Sequence, residues 1–341
     1  ARTPLAARGR LRFPLKRTPL SAALARLPGT DRLVLAVGGA DGGVRLSLCD
    51  TSGIARDDDE EEGEGAAEDA PESRGVVVEA CATLTGHADW VRDLAFTADD
   101  APVLSESGVV LRDPGLLLAS ASQDRTARVW RVRVARAVDD GGAGDEGGET
   151  ARIPAFAQLA RPPPPPSAAL GGAARVSAVL EALLQGHEDW VMSVAWRPAS
   201  AARETDGNKV ALLTASADRS LIHWTPVSDP GRTSGPESRV WMASESVGDA
   251  ASSCLGFYGA MFDARARRVL AHAHGGALHA WRLSCSSGDE RWTPAPASAG
   301  HAGDVTCVSW DAAGRFLLSG SADLTARAHA SWESRVDEDD L

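Results

Sequence analysis

Between positions 90 and 96 the side chains alternate, with Trp90, Arg92, Leu94 and Phe96 on one side and Val91, Asp93 and Ala95 on the other. A period of two over seven residues predicts a strand. The same alternation returns a hundred residues later, where Trp190, Met192, Val194 and Trp196 oppose Val191, Ser193 and Ala195. Downstream, "LLLASASQDRTARVWRV" (116–132), "ALLTASADRSLIHWTPV" (211–227) and "FLLSGSADLTARAHASW" (316–332) each read as a strand of small residues, a tight polar turn at Asp124, Asp218 or Asp323, and a returning strand. Six residues after these aspartates stand Trp130, Trp224 and His329. A further strand is predicted before each Gly-His, clearest in "VVVEACATL" (76–84) and "VSAVLEALL" (176–184). The helical period is absent, so the expected class is all-β.

The phrases that open the runs are internal copies: "LTGHADWVRDLAF" (84–96), "LQGHEDWVMSVAW" (184–196) and "SAGHAGDVTCVSW" (298–310). Two weaker copies are legible by shape. Residues 31–50 hold a strand, a glycine-rich turn and a strand, and residues 267–283 place Trp281 six positions after Gly275, which replaces the aspartate. Five units of four short antiparallel strands can be counted. Gly-His, a variable span and S-x-D-x-x-x-x-x-W together resemble the WD40 repeats, which form β-propellers. The expected fold is therefore a WD40 β-propeller with about five recognisable four-stranded blades, an incomplete seven-bladed ring.

That resemblance implies a structural role for the recurring histidines. In a blade the Gly-His loop lies near the Asp turn, so a buried His can bond the Asp, a Ser or Thr on the second strand and, through it, the indole. The first network would join His87, Ser120 or Ser122, Asp124 and Trp130, and the second His187, Thr214 or Ser216, Asp218 and Trp224. Each bond is worth about 1 kcal/mol net, and an orphaned buried partner costs about 1–3 kcal/mol. Around His301 and Asp323, His329 replaces the indole, so an imperfect network and a looser blade are expected.

Charge and composition narrow the remaining choices. The net charge of −12 is concentrated in "DDDEEEGEGAAEDAPE" (57–72), which carries ten acidic groups and no basic one, so the rest of the chain is nearly balanced and its charge predicts no strong nucleic-acid affinity. The five cysteines are scattered without a C-x-x-C pair, as in a reducing compartment. No apolar run approaches the roughly 20 residues that a membrane helix needs. The expected organisation is an unmatched basic segment at 1–19, a partial propeller at 20–333 with low-complexity insertions at 51–75 and 134–174, and an acidic tail at 334–341. The basic segment reads either as a transit peptide or as a start within a longer protein. The long insertions, with shorter ones at 97–114 and 197–209, fall on loops of one face of the disc, leaving the face of Gly-His loops and Asp turns short and ordered.

Other motifs carry little. "GAGDEG" (142–147) fits a dinucleotide fingerprint without the strand and helix that the motif needs, and "RPPPPP" (161–166) reads as a stiff spacer or a polyproline ligand. His272, His274 and His279 share a hairpin that lacks a Cys or carboxylate to complete a zinc shell. No nucleophile elbow, P-loop or HExxH is present, so no catalysis and no cofactor are expected. For Trp90 and Trp190 two readings stand: packing between blades, or anchors of an interface beside Asp89 and Asp189.

"LGFYGAMFD" (255–263), "AHAHGGALHAWR" (271–282) and the stretch 291–332, with the two "DWV" phrases, resemble the family of WD40-repeat subunits of the Elongator complex. The resemblance runs over about 20–333 and corresponds to the later blades of the first of that family's two seven-bladed propellers. It implies a noncatalytic scaffold that bridges the largest and the catalytic Elongator subunits and supports carboxymethyl-type modification of the tRNA wobble uridine, U34. It also implies tRNA contact that is indirect at most, no small-molecule substrate, no membrane, and a cytoplasmic or also nuclear location. Acetyl-CoA, S-adenosylmethionine and the iron-sulfur cluster belong to the catalytic subunit. The expected partner-binding residues are Asp89, Trp90, Arg125, Asp189, Trp190 and Arg219. The alternatives are a generic WD40 adaptor, as a ubiquitin-ligase substrate receptor or chromatin reader, and an enzyme built on the histidine hairpin.

Overall fold

The computed structural model describes residues 18–28, 30, 32–50, 77–99, 103–104, 110–111, 115–136, 169–170, 174–198, 210–228, 239–249, 256–286, 289–296, 300–311 and 315–330. The acidic run 57–72, the "GAGDEG" and "RPPPPP" motifs and the tail 334–341 lie outside these residues.

Nearly all described residues are in strands, arranged as five blades of antiparallel strands that pair with their sequence neighbours. Blade one comprises Pro19–Arg26, Leu33–Gly39, Val44–Asp50 and Val77–Leu84. Blade two runs Val91–Asp99, Gly115–Ser122, Thr126–Arg136 and Ala174–Gln185, with Ala169–Leu170 added at its edge. Blade three holds Val191–Trp196, Leu212–Ser216, Ser220–Ser228 and Arg239–Asp249. Blade four holds Phe257–Phe262, Arg268–Ala273, Leu278–Ser286 and Asp289–Ala295, and blade five Val305–Trp310, Phe316–Ser321 and Ala326–Ala330. The strand that begins at Pro19 opens blade one, so the propeller's first element starts at the edge of the segment expected to be unmatched.

The strand before each Gly-His closes the preceding blade. Val77–Leu84 pairs with Val44–Asp50 of blade one, and Ala174–Gln185 with Thr126–Arg136 of blade two. Each sequence repeat therefore spans two blades and ties them covalently.

Cores form between consecutive blades. Along Gly115–Ser122, Leu116 and Leu118 pack toward blade one while Leu117 and Ala119 pack toward blade three. All eight residues of that strand are buried, as expected where both faces of a sheet are covered. Phe257, Val269, Trp281 and Trp292 join Leu213 and Leu221 in the core between blades three and four. Polar links cross the same junctions: Val194 N donates to Asp93 Oδ2 (3.0 Å) and Trp196 Nε1 to the Ala95 carbonyl (2.9 Å). At the outer edge of blades two and three, Arg131 pairs with Glu181 (2.7 Å) and Asp99 (3.4 Å), Arg239 with Asp99 (3.0 Å), and Trp241 Nε1 donates to Glu181 (3.0 Å).

The innermost strands correct one expectation. In all five blades the register shifts at the second residue: Leu20, Arg92, Met192, Tyr258 and Thr306 sit in bulges. The extra residue breaks strict alternation, so in blades two and three the buried residues that open the strand are three apart, Val91 with Leu94 and Val191 with Val194. Trp90 and Trp190, placed by period two on the same side as Leu94 and Val194, are instead 43% and 48% exposed.

Candidate partner-binding face

Each full repeat is locked by one chain of hydrogen bonds. His87 Nδ1 lies 2.8 Å from Asp124 Oδ2 and its Nε2 2.8 Å from Ser120 Oγ, and Trp130 Nε1 donates to the same Oγ at 3.0 Å. In blade three, His187 bonds Asp218 (2.9 Å) and Thr214 (2.7 Å), and Trp224 Nε1 donates to Thr214 Oγ1 (2.9 Å). Of the two hydroxyls open to each histidine, the closer partners are thus Ser120 and Thr214. Ser122 and Ser216 donate instead to the Asp89 and Asp189 carbonyls at 3.0 and 3.1 Å. In blade five, His301 bonds Asp323 (3.0 Å) and Ser319 (2.8 Å), and His329 Nε2 meets Ser319 Oγ at 2.8 Å. His329 therefore fills the place of the indole, as a second imidazole on the Ser319 hydroxyl.

Burial opposes charge on Asp124 and Asp218, but bonds from His87 and Thr126, and from His187 and Ser220, outweigh it and hold both carboxyls far below the usual range. Burial also lowers the His87 pKa, against the pull of Asp124. A neutral imidazole suits the chain's polarity: indole N–H to hydroxyl, hydroxyl to Nε2, Nδ1–H to carboxylate. These histidines have both ring nitrogens engaged within the fold, so neither is left to act on a substrate.

The Asp turns carry the chain back through a left-handed residue, Arg125 (φ 68°), Arg219 (φ 72°) and Leu324 (φ 67°). Both arginines are exposed. Asp89 and Asp189 each accept a bond from the next backbone N–H, at Trp90 (2.8 Å) and Trp190 (2.7 Å), which fixes the loops that carry the tryptophans. Trp90 and Trp190 line one cavity of about 720 Å³ shared by blades two, three and four. Both rings are half-exposed rather than enclosed between blades. Arg125, Asp189 and Arg219 are not among its lining residues, so the structure places only Asp89, Trp90 and Trp190 of the six expected contacts in the cavity.

The sequence reading missed Arg92, Met192 and Tyr258, which also line the cavity. The signal was present in "VRDL", "VMSV" and "FYGA", where apolar residues stand three apart and mark a bulge. The histidine hairpin is dispersed. His272 donates from Nδ1 to the Val305 carbonyl (2.7 Å), His274 bonds Asp304 (2.9 Å), and His279 packs edge-on to Phe257. Among the described residues no group of three or more His, Cys, Asp or Glu is placed to hold a metal. In blade four the polar chain is replaced by packing: Ala271 and Ala273 are fully buried, and the Phe257 and Trp281 rings meet at 6.0 Å.

Comparison with known sequences agrees with this division among blades. The WD domain, G-beta repeat family matches residues 79–131, 178–225 and 295–328, the repeats that carry a Gly-His and an Asp turn. Elongator complex protein 2 of Arabidopsis thaliana is 29% identical over 326 residues, covering 92% of this chain and 32% of the relative. That of Mus musculus is 30% identical over 320 residues, 94% of this chain and 32% of the relative. That of Drosophila melanogaster is 31% identical over 254 residues, 73% of this chain and 27% of the relative. The chain thus spans about a third of the length of the curated relatives it matches. Three segments of the chain thus match WD40 repeats, its described residues form five blades, and over most of its own length it is similar to Elongator complex protein 2.

Proposed function

We propose that this chain is part of a noncatalytic scaffold subunit of Elongator, holding the largest and the catalytic subunits together and so supporting carboxymethyl-type modification of the wobble uridine U34 in tRNA. The observation that carries this reading is likeness to Elongator complex protein 2 over more than nine-tenths of the chain, in relatives from a plant and a mammal alike. The chemistry is compatible with it. The histidines and aspartates of the repeats are committed to one another, while a cavity flanked by half-exposed indoles lies on a face held by short turns. Such a surface suits the holding of a partner.

On this reading the partners are proteins, tRNA contact is indirect, and the chain acts in the cytoplasm and also the nucleus. The test is co-purification: the tagged full chain should bring down the largest and catalytic Elongator subunits in stoichiometric amounts. Recovery of cullin adaptors without either subunit would favour a ubiquitin-ligase receptor and overturn the proposal.

A further inference from the structure

The bulges of three consecutive blades converge. Arg92, Met192 and Tyr258 occupy the same bulge position in blades two, three and four, and all three line the 720 Å³ cavity beside Trp90 and Trp190. A bulge re-aims a side chain out of the pleat, and here it supplies one cation, one thioether and one phenol to a common space. The phenol is occupied: Tyr258 donates to Asp304 Oδ2 (3.1 Å), and His274 bonds the same carboxylate (2.9 Å). Asp89, also in the lining, accepts from Trp90 N and forms no ion pair with Arg92. Arg92, half-buried, has no hydrogen-bond or ionic partner among the described residues. It is the cavity's one uncompensated guanidinium, set against apolar walls.

A guanidinium in such a place calls for a planar anion, and half-exposed indoles call for a bulky apolar group next to it. The rim decides what kind of molecule carries them. Asp89 lines the cavity, and exposed Glu188 and Asp189 immediately precede Trp190; these carboxylates disfavour a polyanion such as an RNA backbone, whereas Arg92 can pair with a single carboxylate. We propose that the cavity holds a linear peptide segment of a partner protein, with one Asp or Glu carboxylate on Arg92 and an adjacent aromatic or large aliphatic side chain against Trp90, Trp190 and Met192. The assignment rests on the reading of the chain as a scaffold that holds proteins.

The experiment is selection of a random dodecapeptide library on the full 341-residue chain, followed by fluorescence anisotropy with the selected peptides. Enriched peptides should share an acidic residue next to a bulky apolar one. Replacing that acid by its amide, or introducing Arg92→Gln or Trp190→Ala, should weaken binding at least tenfold. Arg125→Gln, outside the cavity, should leave it unchanged, and all variants should keep the parent melting temperature. Selected peptides without an acid, binding indifferent to Arg92→Gln, or displacement of the peptide by oligo(dT) would each overturn the assignment. The two readings fail separately. Loss of co-purification with intact peptide binding defeats the scaffold reading alone, whereas intact co-purification with peptides indifferent to Arg92 defeats the cavity assignment alone.

Discussion

A histidine whose two nitrogens are both engaged has its protonation state chosen by its neighbours. In blade two, Ser120 Oγ accepts the Trp130 N–H and donates its own O–H to His87 Nε2, leaving Nδ1–H to donate to Asp124. Asp124 also accepts from Ala88 N and Thr126 N. Asp124→Ala therefore orphans several donors, and urea unfolding should show a loss of about 1–3 kcal/mol, with His87→Ala non-additive to it in a double-mutant cycle. Additive effects would mean that the two do not act as a pair. Acid should loosen the fold in two stages. Burial holds His87 and His272 below 6.5, and burial with the charge of Arg197 takes His223 down to about 4. The unfolded chain binds protons near 6.5 that these folded sites refuse, so their contribution is full above that pH and falls as pH drops toward 4. The depressed carboxyls of Asp124 and Asp218 add a further loss only below their unfolded value of 3.8. Melting temperature should decline between pH 7 and pH 4.5; a flat profile over that range would contradict neutral buried imidazoles.

Turns, bulges and the junctions between sheets set the geometry at the scale of elements. Leu324 is 96% exposed yet held at φ 67°, where a Cβ is strained. Leu324→Asn should raise stability by about 0.5–1 kcal/mol, read from the unfolding midpoint. At the outer edge of blades two and three, Glu181 neutralises Arg131 and accepts from Trp241. Glu181→Ala removes the acceptor of the Trp241 indole and one of the two carboxylates paired with Arg131, and should cost about 1–3 kcal/mol. Blade number, the Asp turns and the histidine networks were legible in the sequence because they rest on short local signals repeated at fixed spacing. Less legible were the outer strands Arg239–Asp249 and Asp289–Ala295, which have no Gly-His after a uniform interval, and the first strand at Pro19. The exposure of Trp90 and the gathering of Arg92, Met192 and Tyr258 were hidden for another reason: a bulge inverts a face with one residue, and period-two reasoning assumes that none is present. His329, expected in place of an indole, meets the Ser319 hydroxyl because an imidazole Nε2–H can stand in for an indole N–H as donor.

At the scale of the molecule, the cores lie between blades, so each sheet depends on its neighbours for burial, and the cavity exists only where blades two, three and four are stacked. The same stacking buries the hydrogen-bonded histidines and the Trp130 and Trp224 indoles, and leaves the Trp90 and Trp190 indoles half-exposed. Stability and the proposed holding of a partner should therefore separate on mutation. The most direct test is capture of the largest and catalytic Elongator subunits by the full chain carrying Trp90→Ala with Trp190→Ala. A scaffold that works through this face should lose at least tenfold of its capture while keeping the parent melting temperature. Undiminished capture by that variant would contradict the account.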